Sequence, residues 1–166
     1  MNLNELNTLS VEQATHAFMQ CCTAPTWVQA MVAARPFNDK QAIMLQADLA
    51  WQGLEETDYL AAFDGHPQIG NVDTLRAKYA NTKALASGEQ RSVNQATEQV
   101  LFDLAKGNAD YLAKFGFIFI VCATGKSAAE MLALLVARLP NNRATELANA
   151  AEEERKIFHL RVEKLL

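Results

Sequence analysis

Phe117-Ile118-Phe119-Ile120-Val121 is the stretch on which the fold class turns. Its aromatic and β-branched side chains favour a strand. A lone strand has nothing to pair with, and isolated strand pairing is unstable in water. The run is therefore expected to be an irregular or helical segment, buried inside an all-α protein, with tertiary context overriding local propensity. The expected architecture is one compact helical domain over residues 1–166, with about seven to nine helices judged from the apolar periodicity.

On either side of this run the apolar residues recur at helical spacing. Ser10-Val11-Glu12-Gln13 has the pattern of a capping box, and Val11, Ala14, Phe18 and Cys21 follow on one face. Pro25 breaks that segment, and Trp27, Met31 and Val32 begin a short second helix. Pro36 pushes Arg35 out of the helical region and makes a turn. The next helix has Ile43, Leu45, Ala47, Leu49 and Ala50 as its apolar candidates. Residues 63–71 form a loop, and Leu75 to Leu85 is weakly helical. Ser87-Gly88-Glu89-Gln90 offers a second capping box before Val93, Ala96, Val100, Leu101 and Leu104, with an end at Gly107-Asn108. Lys126 to Leu139 is amphipathic and stops at Pro140. Arg143 to Leu166 is one long helix, with Leu147, Ala150, Ile157, Leu160 and Leu165 turned inward.

Composition removes several functions. The chain has 166 residues, is 50% apolar and carries a net charge of −4. That balance argues against nucleic acid as a partner, because phosphate neutralisation needs a basic surface. The longest apolar stretch, Phe115 to Ala123, is too short to span a membrane. Met1-Asn2-Leu3-Asn4-Glu5 lacks the basic and apolar regions of a secretory signal, so a cytoplasmic protein is expected. The three cysteines, Cys21, Cys22 and Cys122, have no Cys-x-x-Cys spacing and suggest buried thiols rather than a metal or redox site. No metal site is expected.

The chemically distinctive stretch is Asp64-Gly65-His66-Pro67-Gln68-Ile69-Gly70. A histidine exchanges protons near neutrality, and flanking Gly and Pro fix the backbone path and permit close approach of a ligand. The competing reading is a loop histidine that bonds its neighbours. His16 and His159 are expected to be surface or half-buried packing residues. Ala123-Thr124-Gly125-Lys126-Ser127 resembles the end of a phosphate loop, but Ile120 stands where the first glycine belongs, so it is better taken as a helix start. Glu89 has the position of a capping carboxylate. Glu152-Glu153-Glu154-Arg155-Lys156 has the character of a solvated face with local ion pairs. Arg161 either snorkels to solvent or turns a guanidinium inward for a carboxylate.

Taken together, Phe18-Met19-Gln20-Cys21-Cys22, Trp27, Arg35-Pro36-Phe37 and Tyr59 to Gly70 resemble the 2-oxo-4-hydroxy-4-carboxy-5-ureidoimidazoline (OHCU) decarboxylase family. Glu89-Gln90, Tyr111 to Phe117 and Arg161 to Leu166 continue the resemblance in the family's order and spacing. It implies an all-α, homodimeric, cofactor-free enzyme of urate breakdown that releases CO2 and yields (S)-allantoin. It also implies that His66 is catalytic, with Glu89 beside it. Pro67, Ala86, Ser87, Gly88, Gln90 and the backbone of Phe119, Ile120, Val121, Cys122 and Ala123 would line a small ureide substrate, and Arg161 matches the arginine of the closing helix. Family members often carry a hydroxyl three residues before the Glu, where this chain has Ala86; its hydroxyl is at Ser87. The rival reading is a non-catalytic all-α protein-interaction domain that binds a partner helix.

Overall fold

The computed structural model describes residues 1–68, 71–79 and 90–166, and for residues 90–96 the backbone alone. Among the described residues there are nine α-helices and no strand. The all-α expectation therefore holds. Two compact units emerge, each assembled from segments distant in sequence. The first holds Met1–His66, Ile120–Cys122 and Leu147–Leu166; the second holds Pro67–Phe119 and Ala123–Glu146. No described helix is long and apolar enough to cross a membrane.

The first unit contains α1 (Leu3–Thr8), α2 (Val11–Met19), α3 (Pro25–Ala33), α4 (Lys40–Trp51), α5 (Glu56–Phe63) and the greater part of α9 (Arg143–Leu165). The capping box at Ser10 forms: its Oγ accepts the Gln13 N–H, and Gln13 Oε1 accepts the Ser10 N–H, both at 3.1 Å. Pro25 takes the first position of α3, where its missing N–H costs nothing. Trp27 is the centre of the core. Its ring meets the edge of Phe18 at 6.1 Å and Phe158 at 5.1 Å, while Nε1 donates to the Ala47 carbonyl at 3.0 Å. Trp51 packs on Phe158 and donates to the Ala151 carbonyl, so both indoles bury their rings without orphaning their N–H groups.

Three apolar assignments do not hold. Val11, Leu45 and Leu49 are exposed. On α4 the buried positions are Ile43, Ala47 and Trp51, spaced by four. Leu45 and Leu49 fall two residues off that row, which turns them about 200° away on a 3.6-residue helix.

The second unit contains α6 (Val72–Tyr79), α7 (Gln90–Phe115) and α8 (Ala128–Arg138). The Ser87 capping box and residues 80–85 lie outside the described residues. The expected stop at Gly107-Asn108 is wrong: α7 continues through it to Phe115. A Cβ at Gly107 would sit 2.5 Å from Leu135 Cδ2. The glycine is thus a contact point for α8 within a continuous helix. The helix ends instead at Gly116, whose φ of +79° suits a residue without Cβ. Beyond it the 117–121 run is irregular, as expected. Phe117 and Phe119 pack edge-on to Tyr111, and the Arg138 guanidinium lies 4.6 Å from the Phe119 ring centre. Ser127 caps α8 with Glu130 in a reciprocal capping box, which confirms the helix-start reading of Gly125-Lys126-Ser127.

A buried carboxylate holds this unit together. Glu146 accepts hydrogen bonds from Tyr111 Oη (2.7 Å), Asn141 Nδ2 (3.0 Å) and the Arg138 guanidinium (2.9 Å to Nε). Burial alone would push its carboxyl up, but bonds from Arg138, Tyr111 and Asn141 outweigh that and hold it below its ordinary value. A depressed carboxyl contributes stability above its unfolded value, about 4.5, and loses that contribution as pH falls through the lower folded value. Acid unfolding of the native chain should therefore steepen below that point, and Glu146→Gln should flatten it. Glu146→Ala should cost about 3–5 kcal/mol in urea unfolding, because it removes the buried acceptor that Arg138, Tyr111 and Asn141 share.

Cys21 and Cys22 are buried in the first unit, and burial pushes their thiols up to about 11 and about 12 respectively. Only thiolates alkylate readily. Iodoacetamide at neutral pH should label Cys122, the half-buried third cysteine, and leave the pair unmodified until denaturant is added; mass spectrometry counts the labels.

Candidate functional site

His66 is delivered by the end of α5. Its N–H donates to the Phe63 carbonyl and that of Gly65 to the Ala62 carbonyl, so the helix winds directly into the histidine turn. Thr23 completes the anchoring. Its hydroxyl donates to the Ala61 carbonyl at 2.8 Å, and a Cβ on Gly65 would lie 2.2 Å from that same oxygen. The close approach that Gly65 permits is thus the protein's own threonine.

The imidazole faces a carboxylate on the last helix. His66 Nε2 lies 2.5 Å from Glu154 Oε2; the imidazole is 12% exposed and the Glu154 side chain is fully buried. Glu154 Oε1 has no hydrogen-bond partner among the described residues. This overturns the reading of 152–156 as one solvated face. Glu152 and Lys156 are exposed and the pairs Arg155–Glu152 and Lys156–Glu153 do form. Glu154, however, occupies the buried row Ala150, Glu154, Phe158 and Val162, spaced by four. The sequence carried that signal, because Ala150, Phe158 and Val162 define a row that passes through 154.

The neighbouring Glu153 also points to site-forming backbone. Its Oε2 accepts the Cys122 N–H at 2.7 Å, so this main-chain donor, expected to face substrate, is held by α9. Ile120 is buried and Val121 half-buried in the same unit. Arg161 turns inward far enough for Nη1 to donate to the Cys21 carbonyl at 3.2 Å. Its charge and that of Glu154 are both felt at the Cys22 thiol. The first unit therefore collects His66, Glu154, Glu153, Cys122 and Arg161.

The other expected site residues are placed as follows. Pro67 is exposed directly after the histidine. Phe119 is buried against Tyr111 in the second unit, and the Ala123 carbonyl there accepts the Lys126 N–H. Ala86, Ser87, Gly88 and Glu89 lie outside the described residues; Gln90 opens α7. Sequence reasoning missed Thr23, Glu153 and Glu154. Of the remaining histidines, His16 is exposed on α2, while His159 pairs with Asp48 at 2.6 Å beside Arg155. Among the described residues no three His, Cys, Asp or Glu side chains gather as metal ligands. A separate hollow of about 850 Å³, lined by Met1, Leu9, His16, Met19 and Leu165 among others, contains none of these site residues.

Chemically, the pair is a proton-exchanging group held by a buried anion. Such an arrangement holds an imidazole in one orientation.

Comparison with known proteins gives the site its context. The uric acid degradation bifunctional protein TTL of Arabidopsis thaliana is 34% identical over 95% of this chain, which spans 48% of that protein's length. The 2-oxo-4-hydroxy-4-carboxy-5-ureidoimidazoline decarboxylase of Xenopus laevis is 28% identical, with 98% of this chain and 93% of the relative covered. A crystal structure of OHCU decarboxylase in the presence of (S)-allantoin superposes with a TM-score of 0.71 at 34% identity, covering 95% of this chain and 98% of that one. The family model described as OHCU decarboxylase matches residues 7–163, and by that match, spanning nearly its whole length, the chain belongs to the OHCU decarboxylase family.

Proposed function

We propose that this chain decarboxylates 2-oxo-4-hydroxy-4-carboxy-5-ureidoimidazoline to (S)-allantoin and CO2. The observation that carries the reading is the His66 imidazole, anchored by α5 and held against a buried carboxylate, in a chain of this family. The relative crystallised with (S)-allantoin supports a ureide as the ligand.

The chemistry suits such a site. The substrate carbon bears a carboxylate and a hydroxyl beside a C=N bond. When the bond to CO2 breaks, its electron pair forms a C=C bond and the imine nitrogen takes a proton. The resulting enol loses its hydroxyl proton and gains one on the neighbouring carbon, leaving a carbonyl. The imine is the electron sink, so the demand on the protein is proton delivery to one face. His66 is the acid/base for that step. Glu89 would hydrogen-bond the ureido N–H groups or the imidazole, and Pro67, residues 86–88, Gln90, residues 119–123 and Arg161 would line the ligand. The homodimer that the resemblance implies and the expected cytoplasmic location belong to the same proposal.

The test uses handedness. Allantoin also forms spontaneously from this substrate, as a racemate. Urate, a urate-oxidising enzyme, a hydrolase of its product and this protein should give circular-dichroism-active (S)-allantoin. A racemate at the spontaneous rate would leave only the interaction-domain reading. His66→Asn should lower turnover by ~10²- to 10⁴-fold, the usual worth of a general acid/base. Glu89→Ala should lower it by ~10- to 10³-fold, the scale of one positioned polar group.

A further inference from the structure

Two carboxylates are fully buried on α9, Glu146 and Glu154, and their surroundings differ. Glu146 accepts from an arginine, a tyrosine and an asparagine. That is how a buried carboxylate is satisfied when its role is to hold a fold together. Glu154 faces a single imidazole nitrogen with one oxygen, and its other oxygen has no partner among the described residues. A carboxylate buried with one oxygen unsatisfied adds less to stability than an apolar side chain of its size would.

We propose that Glu154 is the positioning residue for His66: its carboxylate accepts the Nε2–H, fixes that tautomer, and leaves Nδ1 as the nitrogen that exchanges a proton with substrate. The proposal rests on the decarboxylase reading for the word substrate, but the tautomer itself does not. A carboxylate has no hydrogen to give, so the proton between the two groups belongs to the imidazole. The backbone that carries the ring is held by the bonds to Phe63 and Ala62 and by the Thr23 side chain. Nδ1 has no hydrogen-bond partner among the described residues. When Nδ1 takes a proton the imidazolium meets a fixed negative charge at Nε2; when it gives the proton up, the ring returns to the same tautomer. The neighbouring Glu153 holds the Cys122 N–H from the same turn of α9, so this turn fixes two parts of the first unit's site at once.

The experiment is ¹⁵N NMR of the imidazoles in the full chain, which has only three histidines, with His66→Asn to assign the signal. His66 should show a protonated Nε2 and a bare Nδ1 at high pH. Glu154→Gln, nearly isosteric, should disturb that pattern, because its amide can donate to Nε2. It should also lower kcat ~10²-fold or more with KM changed little, the behaviour of a wrongly held tautomer. Glu154→Asp should recover part of kcat, and far-UV circular dichroism should show that both variants fold. A protonated Nδ1 in the unaltered protein, or a tautomer indifferent to Glu154→Gln, overturns the proposal. A fall in apparent kcat that matches the lost helix content also overturns it, by marking Glu154 as structural. If His66→Asn leaves turnover intact the decarboxylase role of His66 fails, while the NMR result still decides the pairing.

Discussion

A carboxylate stripped of water must be compensated, and Glu154 is compensated by His66. The desolvation penalty of such a group amounts to several kcal/mol, and the imidazole is the one hydrogen-bonding partner it has among the described residues. That pairing dictates what the surrounding chain must do. The α5 terminus must deliver the ring to a fixed point, which it does through the bonds to Phe63 and Ala62. Residue 65 must be glycine, because Thr23 occupies the space a Cβ needs. The last helix must present residue 154 to the interior, which the row through Ala150, Phe158 and Val162 accomplishes. Trp27 and Trp51, packed on Phe158, fix that row in place.

The same helix shows two ways of burying a negative charge. Around Glu146 the donors are sufficient, and the outcome is a carboxyl held below its ordinary value and a rigid contact among α7, α8 and the start of α9. Around Glu154 the one donor is an imidazole nitrogen, and the second carboxylate oxygen has no partner among the described residues. The first arrangement satisfies both oxygens; the second holds one ring by one oxygen.

Much of this was legible in the chain itself. Ser10 and Gln13 form their reciprocal cap because two short polar side chains at the right separation suffice for it. His66 stood out because glycine and proline flank it. Legibility failed where a residue type has two uses. Gly107 has the composition of a helix stop but is a gap for Leu135. Leu45 and Leu49 are apolar yet exposed, because hydrophobicity does not specify which side of a helix meets the core. Glu154 sits among four charged neighbours, and its burial shows only when the row through Ala150, Phe158 and Val162 is followed.

Local chemistry alone determined the helical class, several helix starts and the prominence of His66, because caps, periodicity and the Gly-His-Pro turn act over a few residues. The choice of partner for that residue belonged to tertiary structure. His66 and Glu154 are separated by 88 positions, and no local rule reaches across that interval. Only packing of α9 into the core removes water from the carboxylate, and only then does its pairing with an imidazole carry enough energy to hold a ring in one orientation.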